Sequence, residues 1–190
     1  MGDEIASLVA DVKIKYGTIP GKRGGSAPWG TIYIPLNDTF QGGYNLEAYR
    51  GVKATETGRV GLESHELWHQ VQYKRSGVLA FSTLALEFLF NAGGKNPYLT
   101  GDPVNNPGIL NTVKKLSDIS TLEGQAQFAG QWNADVYECV SGSMKNKADI
   151  DRLKTEADII LYSGINSQAA RDTQENQLGN LPVNTRVLNI

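Results

Sequence analysis

The chain has 190 residues, of which 40% are hydrophobic, and its formal net charge is −2 at pH 7. That length and composition suffice for one substantial core, so we expect a single domain over residues 1–190, with its core at about residues 28–162. The sequence carries no basic tract and no basic patch interleaved with aromatic residues, which excludes a typical nucleic-acid-binding protein.

Targeting and redox signals are sparse. The apolar runs are too short to span a membrane, and the acidic start at Asp3 and Glu4 lacks the positive charge of a signal peptide. We therefore expect a soluble polypeptide with no membrane insertion, secreted or delivered only through signals in a longer parent protein. The single cysteine, Cys139, forbids an internal disulfide, and we expect it to be a small buried hydrophobe rather than a nucleophile.

The first third of the chain predicts a small β-sheet. Residues 4–15 are amphipathic and predict a short helix or strand, and residues 17–28 form a loop rich in glycine and proline. A strand follows at residues 30–35, because that run alternates and is β-branched before Pro35 closes it. The central residues of this strand are Thr31, Ile32, Tyr33 and Ile34.

Residues 58–76 predict one long helix. Thr55 or Thr57 can cap its start, and Gly77 follows two basic residues at its end. The helical wheel has two apolar faces and leaves only a narrow solvated stripe. That stripe consists of Glu63, Gln70 and Lys74. A helix with two apolar faces is expected to be mostly buried.

The remaining elements are mainly helical. Residues 79–90 are strongly apolar and predict a buried helix, whereas residues 95–107 hold two Asn-Pro steps and predict no helix. Further helices are predicted at residues 108–117, 120–134 and 147–161. The tail at residues 163–190 is expected to be irregular, with a marginal helix at residues 169–178. The sum is a predominantly helical α+β fold, in which a small β-sheet precedes helix 58–76 and a helical bundle.

The two histidines of the chain, His65 and His69, lie four positions apart, with Glu66 directly after the first. Chance would give this arrangement about one time in two thousand. Positions four apart share one helix face, so both imidazoles can reach one ion. A catalytic zinc site uses three protein ligands and leaves the fourth position to water. The pattern therefore predicts one Zn²⁺ per chain, with His65 and His69 among its ligands.

Glu66 is predicted to act as a base. It projects about 100° around the helix from His65, beside the ion rather than onto it. There the carboxylate can take a proton from water and later pass it to the leaving amine. We therefore expect Glu66 to be the general base and not a ligand.

The third ligand is predicted to be a carboxylate, because no further histidine remains. The best candidate is Glu123, in a probable helix that Ser120 or Thr121 caps. Its face also carries an amide and two very small side chains, which let two helix backbones approach closely. These face partners are Ala126, Gln127 and Gly130. Five rival carboxylates lack such a face: Glu87, Asp102, Asp118, Asp135 and Glu138.

The segment from His65 to Phe81 resembles the HExxH-x-x-Q signature of a bacterial domain family of gluzincin-type metallopeptidases. Glu123, three residues before Ala126, resembles the second motif of that family. The resemblance covers about residues 58–134. It implies a zincin-like fold and a zinc-dependent metallopeptidase.

The same resemblance implies roles for residues. His65, His69 and Glu123 correspond to the family's zinc ligands, and Glu66 corresponds to its catalytic base. Members of the family occur as secreted proteins, toxin-like effectors and components associated with contractile injection systems. The resemblance therefore implies a peptide or protein substrate and an association with a secretion or injection apparatus.

Two further roles follow from the chemistry of peptide hydrolysis. Tyr73 or Tyr98 could donate a hydrogen bond to the oxyanion of the tetrahedral intermediate, although tyrosines are more often core residues. The predicted strand at Thr31 to Ile34 could pair with an extended substrate, as the edge strand before the metal helix does in zincins. A purely structural strand has an equal prior on its pattern alone.

Alternative functions stay open at this point. His65 and His69 could be core histidines, while a closed structural zinc site is disfavoured because it commonly needs several thiolates. A catalytically inactive metal-binding or interaction module of a secreted machine would keep the same motif. Hydrolysis of an amide in a cell-wall substrate would use the same ligands, so the motif does not distinguish these substrates.

Overall fold

The computed structural model describes residues 7–16, 27–34, 56–92, 94, 96–142, 144 and 146–164. The predicted helix at 169–178, the tail beyond residue 164 and the Thr55 cap lie outside this part of the chain. The elements are β1 Lys13–Tyr16, β2 Thr31–Ile34, α1 Glu56–Ser76, α2 Val78–Ala92, α3 Ile109–Thr112, α4 Leu122–Val140 and α5 Lys147–Gly164. Two short 3₁₀ helices occupy Pro97–Gly101 and Leu116–Asp118. The prediction of a mainly helical α+β chain with a small sheet is confirmed.

The sheet consists of β1 and β2, which pair in parallel with Lys13 opposite Thr31 and Tyr16 opposite Ile34. The segment at 4–15 was predicted as a helix or a strand, and its described part contains a helical turn at residues 7–9 followed by β1. Ile32 and Ile34 are buried against α1, whereas all four side chains of β1 are exposed. The sheet therefore shields one side of α1.

Helix α1 is the central element. It packs against α4, α2 and β2. Leu62 and Tyr73 join an apolar cluster with β2 and α2, and Trp68 packs on a second cluster built from α3, α4 and α5. The helix ends at Gly77, whose left-handed φ of 58° lets its N–H bond to the Tyr73 carbonyl. The predicted helix and its end are thus confirmed.

One residue of the predicted solvated stripe on α1 is not solvated. Gln70 is buried, with 1% of its surface exposed. Its amide is bonded to three backbone groups of the segment that leads into β2. The prediction was wrong because a side-chain amide can be buried when all its hydrogen bonds are satisfied by backbone, a possibility that polarity alone does not reveal.

Helix α2 is only partly buried, which corrects the prediction of a buried helix at 79–90. Its inward stripe consists of Ala80, Leu84 and Glu87, at positions i, i+4 and i+7. Several large apolar side chains on its other faces are more than half exposed. These are Val78, Leu79, Phe81, Leu86 and Leu89. Hydrophobic composition predicted the helix, but it did not predict how much of its circumference other elements cover.

Two loops also differ from expectation. The segment 95–107, predicted to lack helix, contains the 3₁₀ helix Pro97–Gly101, which begins where Asn96 Oδ1 accepts a hydrogen bond from the Tyr98 N–H. The predicted helix 108–117 is broken into α3 and a 3₁₀ turn. It breaks because the Asp118 carboxylate accepts hydrogen bonds from the Lys114 and Lys115 N–H groups, which competes with continued α-helix.

Helices α4 and α5 complete the bundle. Phe128 of α4 and Ile159 and Ile160 of α5 are buried in the second apolar cluster. Arg152 of α5 forms an ion pair with the fully buried carboxylate of Asp135 on α4 and also with Asp149 and Glu156. Across the described residues, none of these helices combines the length and the apolarity that crossing a membrane requires.

Candidate metal centre

Helix α1 places His65 and His69 on one face, one turn apart, as their spacing predicts. Both residues are buried, with 1% and 5% of their surfaces exposed. The two Nε2 atoms are 3.0 Å apart, and the ring planes are inclined by 83° with centroids 4.7 Å apart. Two imidazole nitrogens thus converge on one point in the interior of the protein.

Glu123, in the first turn of α4, brings a carboxylate to the same point. Its Oε2 atom lies 3.3 Å from His65 Nε2 and 3.2 Å from His69 Nε2. Among the described residues, this triad is the group of histidine, cysteine and acidic side chains close enough together to hold one metal ion. The structure therefore brings together the three residues that the sequence predicted as ligands.

The triad matches the dimensions of a tetrahedral zinc site. Ligand atoms at about 2.0–2.1 Å from a tetrahedral ion are about 3.3 Å from one another. The three ligand atoms form a triangle with edges of 3.0, 3.2 and 3.3 Å. The donor set, two imidazoles and one carboxylate, is that of a catalytic zinc site with one position left for water. The residues therefore fit zinc in both chemistry and spacing.

Glu123 is held in place by the carboxylate of Glu87 on α2. The two Glu87 oxygens accept hydrogen bonds from the backbone N–H groups of Leu122, at 2.8 Å, and Glu123, at 2.9 Å. Thr121 adds the predicted cap, since its hydroxyl accepts from the Gly124 N–H. The start of α4 is thus fixed from two sides, and with it the backbone of the third predicted ligand.

The backbones around Glu123 approach very closely. A Cβ atom built on Gly101 would lie 1.7 Å from the Gly124 carbonyl oxygen, and one built on Gly124 would lie 2.1 Å from the Thr100 hydroxyl. Ala126 and Gly130, farther along the same helix, are buried. The close approach thus occurs at Gly101 and Gly124, whereas the small residues predicted on this face, Ala126 and Gly130, are shown to be buried.

Gln72 connects His69 to the start of α4. The His69 Nδ1–H donates to Gln72 Oε1 at 2.8 Å. The Gln72 amide nitrogen in turn donates to the Leu122 carbonyl at 3.0 Å and to Gln125 Oε1 at 3.3 Å. These two acceptors fix which end of the amide faces His69. The arrangement keeps a hydrogen on Nδ1, so that Nε2 is the nitrogen directed at Glu123.

The charges of the triad are strongly coupled. Burial lowers the pKa of His65 to about 4, although its hydrogen bond with Glu123 opposes this shift. Burial also lowers the pKa of His69, but the Glu123 and Glu66 carboxylates outweigh it and raise this pKa to about 9. Burial raises the pKa of Glu123, and the two histidines more than reverse that effect, so it lies well below its usual range. At neutral pH the Glu123 carboxylate is thus negative and is paired with a protonated His69, while His65 is neutral.

Glu66 directly follows the predicted ligand His65 on α1. It is buried, with 4% of its surface exposed. Gln70, one turn later on the same face, is bonded to the Gly30 N–H at the start of β2. The Glu66 charge contributes to raising the pKa of His69. The predicted base is therefore close enough to the predicted ligand His69 for its charge to act on that imidazole.

The two tyrosines proposed as hydrogen-bond donors both lie near the triad. The Tyr98 ring centroid is 6.1 Å from that of His65, and burial together with the nearby Glu123 carboxylate raises the pKa of the Tyr98 hydroxyl. Burial and the charges of Glu66 and Glu123 raise the pKa of Tyr73 to about 12. Both hydroxyls therefore stay protonated at neutral pH and able to donate.

The predicted substrate strand, Thr31 to Ile34, has one edge occupied by β1. Within the described ranges, no strand pairs with the other edge of β2. The segment before β2 is fastened to α1 by Gln70, which accepts from the Gly30 N–H at 2.8 Å and donates to the carbonyls of Ala27 and Pro28. The position of β2 along α1 is therefore fixed, while its role in substrate binding stays a prediction.

The rival carboxylates are engaged elsewhere. Glu87 accepts backbone hydrogen bonds at the start of α4, and Asp102 accepts from the N–H groups of Val104 and Asn105. Asp118 caps backbone N–H groups, and Asp135 is paired with Arg152. Glu138, on the same helix as Asp135, is not part of the triad.

Sequence reasoning missed three residues that support the site. Gln72 was part of the signature but received no role, although its position one turn after His69 was a usable signal. Gln70 was assigned to solvent, and Glu87 was considered only as a ligand. No sequence signal indicates Glu87, because it acts on the backbone of residues 35 and 36 positions away.

Comparisons of the chain with protein-family models, with curated proteins and with solved structures give no significant match. The resemblance to gluzincin-type metallopeptidases is therefore limited to the motif residues.

Proposed function

We propose that this protein is a zinc-dependent hydrolase, and specifically a metallopeptidase. The observation that carries the proposal is the triangle of His65 Nε2, His69 Nε2 and Glu123 Oε2, with edges of 3.0 to 3.3 Å. A buried Glu66 next to this triangle supports hydrolysis rather than a purely structural site. The proposal includes a zincin-like arrangement, in which a small sheet precedes the metal helix.

In this proposal His65, His69 and Glu123 hold one Zn²⁺ ion. Zinc, when bound, polarises a substrate carbonyl and lowers the pKa of a coordinated water toward about 7. The Glu66 carboxylate accepts the proton of the attacking water and then delivers it to the leaving amine nitrogen. Water access is limited because both histidines and Glu66 are buried.

In this proposal, the substrate is bound by the two tyrosines near the triad and by β2. The hydroxyl of Tyr98 or Tyr73 donates to the oxyanion that develops on the attacked carbonyl. The backbone of the substrate lies along β2, whose position is fixed by the bond between Gln70 and Gly30. From the motif resemblance we further propose that the enzyme is associated with a secretion or injection apparatus.

The metal is tested first. Elemental mass spectrometry of the purified full chain is expected to give one zinc per chain, and His69→Ala and Glu123→Ala are expected to lose it. Asp118→Ala is the matched control, because that carboxylate accepts hydrogen bonds from the backbone N–H groups of Lys114 and Lys115 and is not part of the triad. Absence of zinc from the wild-type chain after zinc is added back would refute the proposal.

The hydrolase activity is tested separately with a mixed peptide library and mass spectrometry of the products. Glu66→Gln is expected to retain zinc and lose cleavage, because an amide cannot accept the proton of water. Full activity in Glu66→Gln would show that another group is the base. If the wild-type chain binds zinc but cleaves no peptide, the alternative of a catalytically inactive metal-binding module is favoured. If it releases fragments from cell-wall material instead, hydrolysis of a cell-wall amide is favoured.

A further inference from the structure

Three aromatic rings form a continuous surface beside the candidate metal centre. We call Trp29, Tyr73 and Phe81 the aromatic wall. Trp29 is stacked on Tyr73, with ring centroids 5.7 Å apart and an interplanar angle of 8°. The ring centroid of Phe81 lies 6.3 Å from that of Tyr73. Tyr73 is buried, but Trp29 and Phe81 are 55% and 54% exposed. A buried ring thus carries two rings that solvent reaches.

The aromatic wall is joined directly to the predicted catalytic residues. Tyr73 lies four residues after His69 and seven after Glu66, so it shares their side of α1. The charges of Glu66 and Glu123 both act on its hydroxyl. Only the ring of Tyr73 therefore lies between the exposed aromatic rings and the predicted catalytic residues.

The wall is also held rigidly. Gln70 bonds the carbonyls of Ala27 and Pro28 and the N–H of Gly30, which places a fixed backbone group on each side of Trp29. Phe81 projects from α2, whose buried stripe packs against the interior. A surface whose backbone is already fixed loses little conformational entropy when a ligand binds.

We propose that the aromatic wall binds a bulky apolar side chain of the substrate, adjacent to the scissile bond. The substrates would then be polypeptides with an aromatic or long aliphatic residue at the cleavage site. This inference rests on the proposed hydrolase function. An acidic side chain is disfavoured at the same place, because it would approach the carboxylates of Glu66 and Glu123 and lose water without gaining a cationic partner.

The test measures binding without turnover. Glu66→Gln protein, as the full chain and with zinc added, is titrated with two fluorescein-labelled glycine–serine decapeptides in a fluorescence polarisation assay. One peptide carries a central Phe-Leu pair and the other a central Ser-Asp pair. The Phe-Leu peptide is expected to bind at least about tenfold more tightly. Trp29→Ala and Phe81→Ala, in the same background, should remove most of that preference, and Trp29→Phe should retain it.

Leu86→Ala is the matched control, since Leu86 lies on the same helix as Phe81 and is also 54% exposed. Its preference for the Phe-Leu peptide should be unchanged. Equal binding of both peptides, or a preference that survives Trp29→Ala and Phe81→Ala, would overturn the inference. Cleavage of the library without apolar preference would overturn it while leaving the hydrolase proposal intact. Apolar binding by a chain that neither holds zinc nor cleaves peptides would refute both proposals, because the inference requires a scissile bond.

Discussion

Gln72 lies one turn after His69 on α1 and accepts a hydrogen bond from its Nδ1–H at 2.8 Å. The same glutamine donates to the Leu122 carbonyl, one residue before Glu123. One amide therefore orients a predicted ligand on α1 and contacts the backbone that carries another on α4. Such partners of metal ligands commonly determine affinity by a factor of ten or more.

Replacement of Gln72 by leucine is expected to weaken zinc binding by about ten- to hundredfold, because the His69 ring loses the acceptor that fixes its orientation. Competition with a fluorescent zinc chelator measures the dissociation constant. Glu63→Gln on the same helix is the control, since Glu63 pairs with Arg59 at a half-buried position. Equal zinc affinity in Gln72→Leu and the wild type would contradict the assigned role.

Glu87→Ala is expected to reduce both stability and zinc affinity. The variant leaves the N–H groups of Leu122 and Glu123 without the carboxylate that they contact, and an unsatisfied buried donor costs about 1–3 kcal/mol. Chemical denaturation measures the free energy of unfolding, and chelator competition measures the zinc affinity of the folded chain.

Asp118→Ala separates these two effects. Asp118 also accepts from two backbone N–H groups, those of Lys114 and Lys115, but it is exposed and is not part of the triad. We expect this variant to lose about 1 kcal/mol of stability and to keep its zinc affinity. If both variants lowered zinc affinity equally, Glu87 would have no specific influence on Glu123.

Gly101→Ala tests the close contact below the third predicted ligand. The new Cβ would lie 1.7 Å from the Gly124 carbonyl oxygen, so the 3₁₀ helix and α4 must separate. We expect a loss of about 2 kcal/mol or more and a lower melting temperature. Gly108→Ala, where the nearest atom is 3.8 Å away, should change stability by less than about 0.5 kcal/mol. Similar melting temperatures for both variants would show that the contact is loose.

Cys139 is expected to react slowly with Ellman's reagent at pH 8. Cys139 is half-buried rather than fully buried as expected, and this burial raises the pKa of its thiol. The thiolate fraction at this pH is therefore smaller than that of a free cysteine. The rate in the folded chain should be below that of glutathione and should increase when urea unfolds the chain. A rate in the folded state equal to that of glutathione would contradict the assignment of Cys139 as an inert residue.

The elements with strong local signals were predictable. Helix α1 was placed within two residues at its start, because its periodicity is long and Gly77 ends it. The start of α4 followed from Thr121, a typical cap. In the candidate site, the spacing of His65 and His69 was enough to bring their nitrogens together, because a helix fixes the geometry of positions four apart.

Other features depend on tertiary contacts that local patterns do not contain. The break before Asp118 depends on a competition between its side chain and the helical backbone, which propensities do not decide. The exposure of Phe81 depends on which neighbours cover α2, and hydrophobicity does not specify neighbours. The hydrogen bond from the Leu122 N–H to Glu87 cannot be predicted from the periodicity of side chains, because its donor is a backbone group.

His69 and Glu123 are 54 positions apart, yet their ligand atoms are within 3.2 Å. In an unfolded chain this separation makes their simultaneous contact with one ion improbable. A cation bound by both must therefore bind the folded chain preferentially, and thermodynamic linkage would add about 2.7 kcal/mol of stability at a free concentration a hundred times the dissociation constant. The melting temperature of the protein would then report the local zinc concentration.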